Sequence, residues 1–291
     1  MSSVKWLMLN CHIWNVLLDL SISILSIPYI FHPTFSGISL GFLDFPELEV
    51  YLVLTLIGLV TVSIWSIHEN QYHILFGTDD NPIWCRMRKP MMVVNYLAAI
   101  VYFFPPYLLL PEQSEAFREI QRILPCNLQP SYDGRKVFIL STGQGLPLYC
   151  VFIFYVLTVG QSIPLFFIIV TKLIMQSRKK ECAASQKTLK MRRKLVVALM
   201  IQSISPCLLI SIPVEYLGVA TYLNYYNNVL NRLSMILFSL HGISSTVTMI
   251  FVHQPYREAT LQYVYWMLRW EKKRKDSMKI SVVPMTTQLN Y

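Results

Sequence analysis

Charge is scarce in this sequence: only 14% of its 291 residues are Asp, Glu, Lys or Arg, while 54% are hydrophobic. So little polar surface cannot cover a soluble globule of this size, which places the chain in a bilayer. Catalytic signatures are missing too. There is no G-x-S-x-G, H-E-x-x-H or P-loop pattern. His12, His32, His68, His73, His241 and His253 form no H-x-x-x-H pair and have no acid at catalytic spacing. These absences exclude the usual intramembrane hydrolase, protease, pump ATPase and metalloenzyme designs. The six cysteines are scattered without a C-x-x-C pair, so neither a zinc site nor a disulfide framework is signalled. No N-x-Ser/Thr sequon occurs. No enzyme activity, cofactor or metal is expected. The apolar stretch starting at Trp6 is too long for the core of a signal peptide, and no small-residue cleavage site follows it.

What the sequence does contain is long apolar runs and blocks of cations. Pro147–Thr171 and Leu195–Val219 are each about 25 residues long, enough at ~1.5 Å per helical residue to cross a hydrocarbon core of roughly 30 Å. Between them lie Lys172, Arg178, Lys179, Lys180, Lys187, Lys190, Arg192, Arg193 and Lys194 against the single acid Glu181. Such a bias holds a short loop on the cytoplasmic side. Counting outward from it gives six spans: Trp6–Phe31, Glu49–His68, Pro90–Leu110, the pair above, and Leu230–Val252. Of the 25 Lys and Arg, only Arg118, Arg122, Arg135, Lys136 and Arg232 then fall outside. The net charge of +9 therefore reports membrane topology, and no nucleic-acid partner is implied.

The expected organisation is a short cytosolic start at 1–5, a transmembrane helix bundle over 6–252 and a cytosolic tail over 253–291. In the tail, Leu261, Val264 and Leu268 recur at helical spacing within Tyr256–Trp270, ahead of the basic run Lys272–Lys275. An interfacial amphipathic helix on anionic lipid fits this pattern, the alternative being a partly disordered basic tail. The outer loop Pro111–Gln144 holds Cys126, which with Cys150 forms the one pair placed to share an oxidising compartment, either as a disulfide or as free thiols.

Of the 16 acids, only Asp19 and Glu215 lie well inside apolar runs. A carboxylate there is costly unless paired, hydrated or protonated. Asp19 sits about 13 residues into its span, hence roughly 20 Å deep. It reads as a buried polar switch or as a neutral acid held by Ser or Asn of adjacent helices. Glu215, near the outer end of its helix, faces a ligand cavity or meets Arg232. Pro206 and Pro213 interrupt the fifth span and Pro164 the fourth. Each removes a backbone hydrogen bond, so Pro206 and Pro213 are candidate hinge positions above the basic loop.

One further pattern spans nearly the whole chain. Lys5-Trp6, Leu9-Asn10, His12 and Leu18-Asp19-Leu20 come first, followed by Pro28-Tyr29, Gly41 and Glu69-Asn70. His241-Gly242, Ser244-Ser245-Thr246 and Pro255-Tyr256-Arg257 complete it. In these residues the chain resembles the nematode serpentine receptor class h chemoreceptors, a divergent branch of seven-helix G-protein-coupled receptors. The resemblance implies an all-α, polytopic bundle. In that family the segment near Lys5-Trp6 looks like the second helix, so the first helix is expected to be absent from this chain, and the six spans visible would be family helices two to seven.

By the same resemblance Asp19 is the buried acid of the family's second helix; a buried polar switch of Asp19, His241, Ser244 and Ser245 is expected, and Tyr29, Tyr51 and Glu215 are the residues expected around a ligand cavity. Glu69, Asn70, Gln71, Tyr256 and Arg257 take the cytosolic switch and G-protein face, with Gln71 standing where family members commonly carry Arg. The implied function is a chemosensory receptor for odorants or other small molecules. Its partners would be a small-molecule ligand, a heterotrimeric G protein and membrane lipids, and its place the plasma membrane, in sensory cilia. Two other readings stay open: a small-solute transporter, and a truncated, non-signalling receptor remnant retained in the endoplasmic reticulum. Paired half-repeats would favour the transporter, and surface labelling separates receptor from remnant.

Overall fold

The computed structural model describes residues 2–76, 82–123, 129–132, 134–143, 145–178, 183–252 and 254–281. Among these residues six helical stretches are long and apolar enough to cross a membrane: Lys5–Ser26, Pro46–Ile74, Ile83–Leu108, Gly145–Lys172, Val196–Tyr222 and Asn228–Val252. The chain divides into two compact units, Met1–Ser245 and Thr246–Tyr291.

In the first unit, α1 (Ser2–Leu20) passes directly into a π-helical turn, Ser21–Ser26. Strands β1 (Pro28–Ile30) and β2 (Phe35–Ser39) follow, then α2 (Pro46–Phe76), α3 (Pro82–Val101), α4 (Phe104–Leu108) and α5 (Gln113–Ile123). A small hairpin, β3 (Ser131–Tyr132) and β4 (Arg135–Lys136), precedes β5 (Phe138–Ser141). The long helices α6 (Gly145–Arg178), α7 (Ala183–Tyr222) and α8 (Asn228–Val252) complete the bundle, the last crossing into the second unit.

Helix α2 is the axis of the bundle. Its most apolar window is 56% buried, where no other span exceeds 35%, and it packs on α1, α3, α6 and α7. Val60, Val62 and Trp65 are fully enclosed, and Val60 and Val62 share a core with Leu18, Ile22 and Leu199. Polar ties supplement this packing where water cannot compete. Asn10 on α1 donates to the Tyr96 hydroxyl on α3 (2.6 Å), Asn95 on α3 donates to Gln161 on α6 (3.1 Å), and Tyr102 donates to the Leu54 carbonyl of α2 (2.8 Å).

One end of the bundle carries an antiparallel sheet of order β1-β2-β5. Tyr29 pairs with Ile38, and Gly37 with both Ile30 and Phe138. The first span is shorter than the sequence suggests: helix ends at Ser26, and Pro28–Ile30 is strand. Ile27, in the left-handed region at φ 42°, makes the break. The segment after β2 then runs back along the π-helical turn and satisfies its terminal carbonyls. Gly41 N–H donates to Ser26 O (2.8 Å), Phe42 to Ile24 O (3.1 Å) and Leu43 to Leu25 O (3.0 Å). A Cβ at position 41 would overlap the Leu25 carbonyl, so only glycine admits this approach.

Helix α5 covers the sheet. Its Ala116 and Ile120 are buried with Phe31, Ile38, Val137 and Ile139. The Gln113 side-chain amide serves the edge strand as a partner would, donating to the Ile139 carbonyl and accepting from its N–H, both at 2.9 Å. The observed helices also outrun the predicted spans. Helix α3 starts at Pro82 and takes in Arg86, Arg88 and Lys89, which the sequence pattern assigns to a loop, and α6 and α7 extend into the basic segment. Hydropathy marks where apolar side chains stop, while a helix satisfies its own backbone on either side of that point.

The second unit holds the end of α8 and α9 (Gln254–Ser281). Along α9, Leu261, Val264, Trp266, Leu268 and Trp270 are exposed.

Candidate functional site

A cavity of about 490 Å³ lies within the first unit. One face of α2 runs along it, with Glu49, Val53, Ile57, Thr61, Ile64 and His68 recurring every three or four residues. Strand β2 together with Phe138 and Leu140 of β5 bounds it at the sheet end, and side chains of α6, α7 and α8 close the remaining walls.

Two histidines mark its polar points. His68 is buried on α2 and its Nε2 lies 2.7 Å from the Ser203 hydroxyl of α7. That hydroxyl donates its one proton to the Met200 carbonyl (3.0 Å), so Nε2 of His68 is the donor. His32, between β1 and β2, places Nε2 at 3.0 Å from the Leu217 carbonyl and 2.9 Å from the Thr221 hydroxyl, while Asn231 of α8 donates to the His32 carbonyl at 3.3 Å. Burial pushes the His32 imidazole below its ordinary pKa, opposed in part by the bond to Leu217. The sheet end is thereby bolted to α7 and α8.

Asp19 and His241 come together although 222 positions apart: the Asp19 carboxylate lies 3.4 Å from His241 Nδ1. His241 is fully enclosed and also reaches the Phe238 carbonyl at 2.5 Å. Gly242 supplies the floor, since a Cβ there would overlap the Asp19 carboxylate. Asp19 lies nearer the sheet end of its span, which stops at Ser26. Ser244 bonds Ser205 of α7, and Ser245 is buried. Helix α7 continues through both Pro206 and Pro213.

Of the three residues expected around a ligand, Tyr29 lines the cavity, and Arg232 donates to its hydroxyl at 3.1 Å and stands 5.8 Å from its ring centre. Tyr51 and Glu215 do not belong to the lining. Tyr51 turns to the α3 side, donating to the Ile100 carbonyl (2.9 Å) with its ring against Phe104 and Tyr107. Glu215 accepts a 2.5 Å bond from Tyr155, which does line the cavity, so it borders the site through that ring. The expected meeting of Glu215 with Arg232 is replaced by the contacts of Arg232 with Tyr29 and Asn228.

At the end of α2 away from the sheet, Glu69, Asn70 and Gln71 are buried. Arg88 of α3 forms an ion pair with Glu69, its Nη2 donating to Oε2 at 2.9 Å and its Nε standing 2.8 Å from Oε1, and Nη2 reaches Asn70 Oδ1 at 3.5 Å. Tyr256 and Arg257 are exposed on α9 in the second unit. Cys126 lies outside the described residues, while Cys150 is half-buried on α6. No metal-binding group of His, Cys, Asp and Glu occurs among the described residues.

Reading the sequence missed Arg88, His32, His68, Ser203 and Glu49 as site residues. The α2 residues had a legible signal: Glu49 and His68 fall on one helical stripe with Val53, Ile57 and Ile64. The others are joined only by tertiary contacts.

Six apolar helices of span length among the described residues, a ligand-sized cavity and buried polar pairs bridging helices define a multi-pass membrane protein. Comparison with protein families makes this specific. The family model described as "Serpentine type 7TM GPCR chemoreceptor Srh" matches residues 1–266, and the chain belongs to that family. No curated protein and no solved structure matches the chain.

Proposed function

We propose that the protein is a small-molecule chemosensory receptor of the plasma membrane that couples to a heterotrimeric G protein. The observation that carries this reading is the cavity, whose size suits a small organic ligand and whose walls come from α2, α6, α7, α8 and the sheet. A ligand that contacts these elements better in one arrangement than another shifts the population toward it. The Asp19–His241 pair and the Ser205–Ser244 bond tie α1, α7 and α8 together and are the polar contacts that such a shift would exchange. Pro206 and Pro213 serve as hinges in α7. The basic segment between α6 and α7 faces the cytosol, and the buried Glu69, Asn70 and Gln71 act as a switch at the cytosolic end of α2; in the second unit, Tyr256 and Arg257 are cytosolic contacts and α9 lies on the inner leaflet.

Expression in a reporter cell with an odorant panel tests the reading. A ligand-dependent G-protein signal is expected, weakened by Asp19→Ala at equal surface level. A full panel without response from protein that reaches the surface would overturn it.

A further inference from the structure

Among the described residues Glu49 is the one acidic residue in the cavity lining, and no lysine or arginine of those residues contributes to it. Its side chain is 2% exposed, and neither carboxyl oxygen has a hydrogen-bond partner among the described residues. A buried carboxyl group without a partner is costly, so the position calls for something the protein does not supply. Glu49 stands in the first turn of α2, where free backbone N–H groups favour negative charge. Of the two lining histidines, His32 Nε2 is engaged by Leu217 and Thr221 and His68 Nε2 by Ser203, while His68 Nδ1, also without a partner among the described residues, belongs to the opposite end of the α2 stripe from Glu49. Val53 and Ile57 follow Glu49 on the same stripe, and Phe138 and Leu140 face it from the sheet end.

We infer that the cavity selects cationic amines with an apolar body, the ammonium paired with Glu49 beneath the sheet and the hydrocarbon laid along the α2 stripe. An ammonium brings up to three donors to two idle acceptor oxygens, and in a site of low polarity such a charge-assisted contact is strong. The inference rests on the small-molecule reading of the cavity and adds the chemical class.

The test uses the full chain in lipid nanodiscs, with folding followed by thermal unfolding. The probes are two matched pairs, phenethylamine with 2-phenylethanol and hexylamine with hexanol. The amine of each pair is expected to bind about tenfold or more tightly than its alcohol, a preference that Glu49→Asp keeps and Glu49→Gln reduces to about twofold or less. Because each amine is compared with its alcohol in the unaltered protein, the result holds even where a variant folds poorly. Equal binding of amine and alcohol, or an amine preference that survives Glu49→Gln, overturns the inference while leaving a small-molecule cavity standing. Folded protein that binds neither member of either pair overturns the inference and counts against the cavity reading as well.

Discussion

The Arg88–Glu69 contact shows what a single side chain does in this bundle. Glu69 is fully enclosed, and the ion pair with Arg88, which includes one hydrogen bond, compensates a carboxyl group that water cannot reach. Arg88→Ala is expected to cost about 3 kcal/mol, the low end for a broken buried pair because the arginine side chain keeps 22% exposure. Adding Glu69→Gln to that variant should restore more than half of the loss, as read by thermal unfolding in nanodiscs. His32 supplies a pH dependence. Its folded pKa is depressed, so the unfolded chain takes up a proton more readily than the folded one as pH falls. Stability is therefore complete above the ordinary histidine value near 6.5 and declines as pH falls below it toward the folded value. His32→Gln should flatten that decline in melting temperature between about pH 7 and 5. The sequence showed that Asp19 is costly where it stands, yet not that His241 and Gly242 are its neighbours, because a contact across 222 positions leaves no local pattern. Gly242→Ala should displace the Asp19 carboxylate and weaken signalling as Asp19→Ala does, measured in the same reporter cell.

The helices were legible as elements because apolar runs of span length have few alternatives in a chain so poor in charge. Their ends were not. Pro28 and Pro33 mark the region where the first span Trp6–Phe31 ends, but hydropathy does not separate Tyr29, Ile30 and Phe31 from the apolar run, and Pro28–Ile30 is strand. The sheet was hidden for the same reason: three short strands in two distant loops carry no alternation long enough to register. Gly41 is the position where this construction is most brittle, since it touches backbone and not a movable side chain. Gly41→Ala is expected to cost about 1–3 kcal/mol, as overpacking does, and to lower the melting temperature without altering the helical circular dichroism of the folded state. The exposed tryptophans of α9 give a separate check on the tail. If α9 lies on the bilayer, brominated lipids in the nanodisc should quench Trp266 and Trp270, and quenching no stronger than for a soluble indole would place the helix in water.

For the whole molecule, the distribution of cations was sufficient to propose an orientation, with the sheet outside and the Lys172–Lys194 segment inside. Glu112→Cys is expected to react with an impermeant thiol reagent on intact cells and Arg193→Cys only after permeabilisation; the reverse pattern would invert every assignment of a face. The sheet has a further bearing on how the chain is made. Strand β2 ends at Ser39, and the edge that completes the sheet, β5, begins at Phe138. A ribosome must therefore deliver the intervening helices to the translocon before that side of the chamber can seal, and nascent chains halted ahead of Phe138 would hold their first hairpin without its mate. Biogenesis of the binding chamber is thus postponed to the middle of synthesis, and assistance from a membrane chaperone would matter most during that interval.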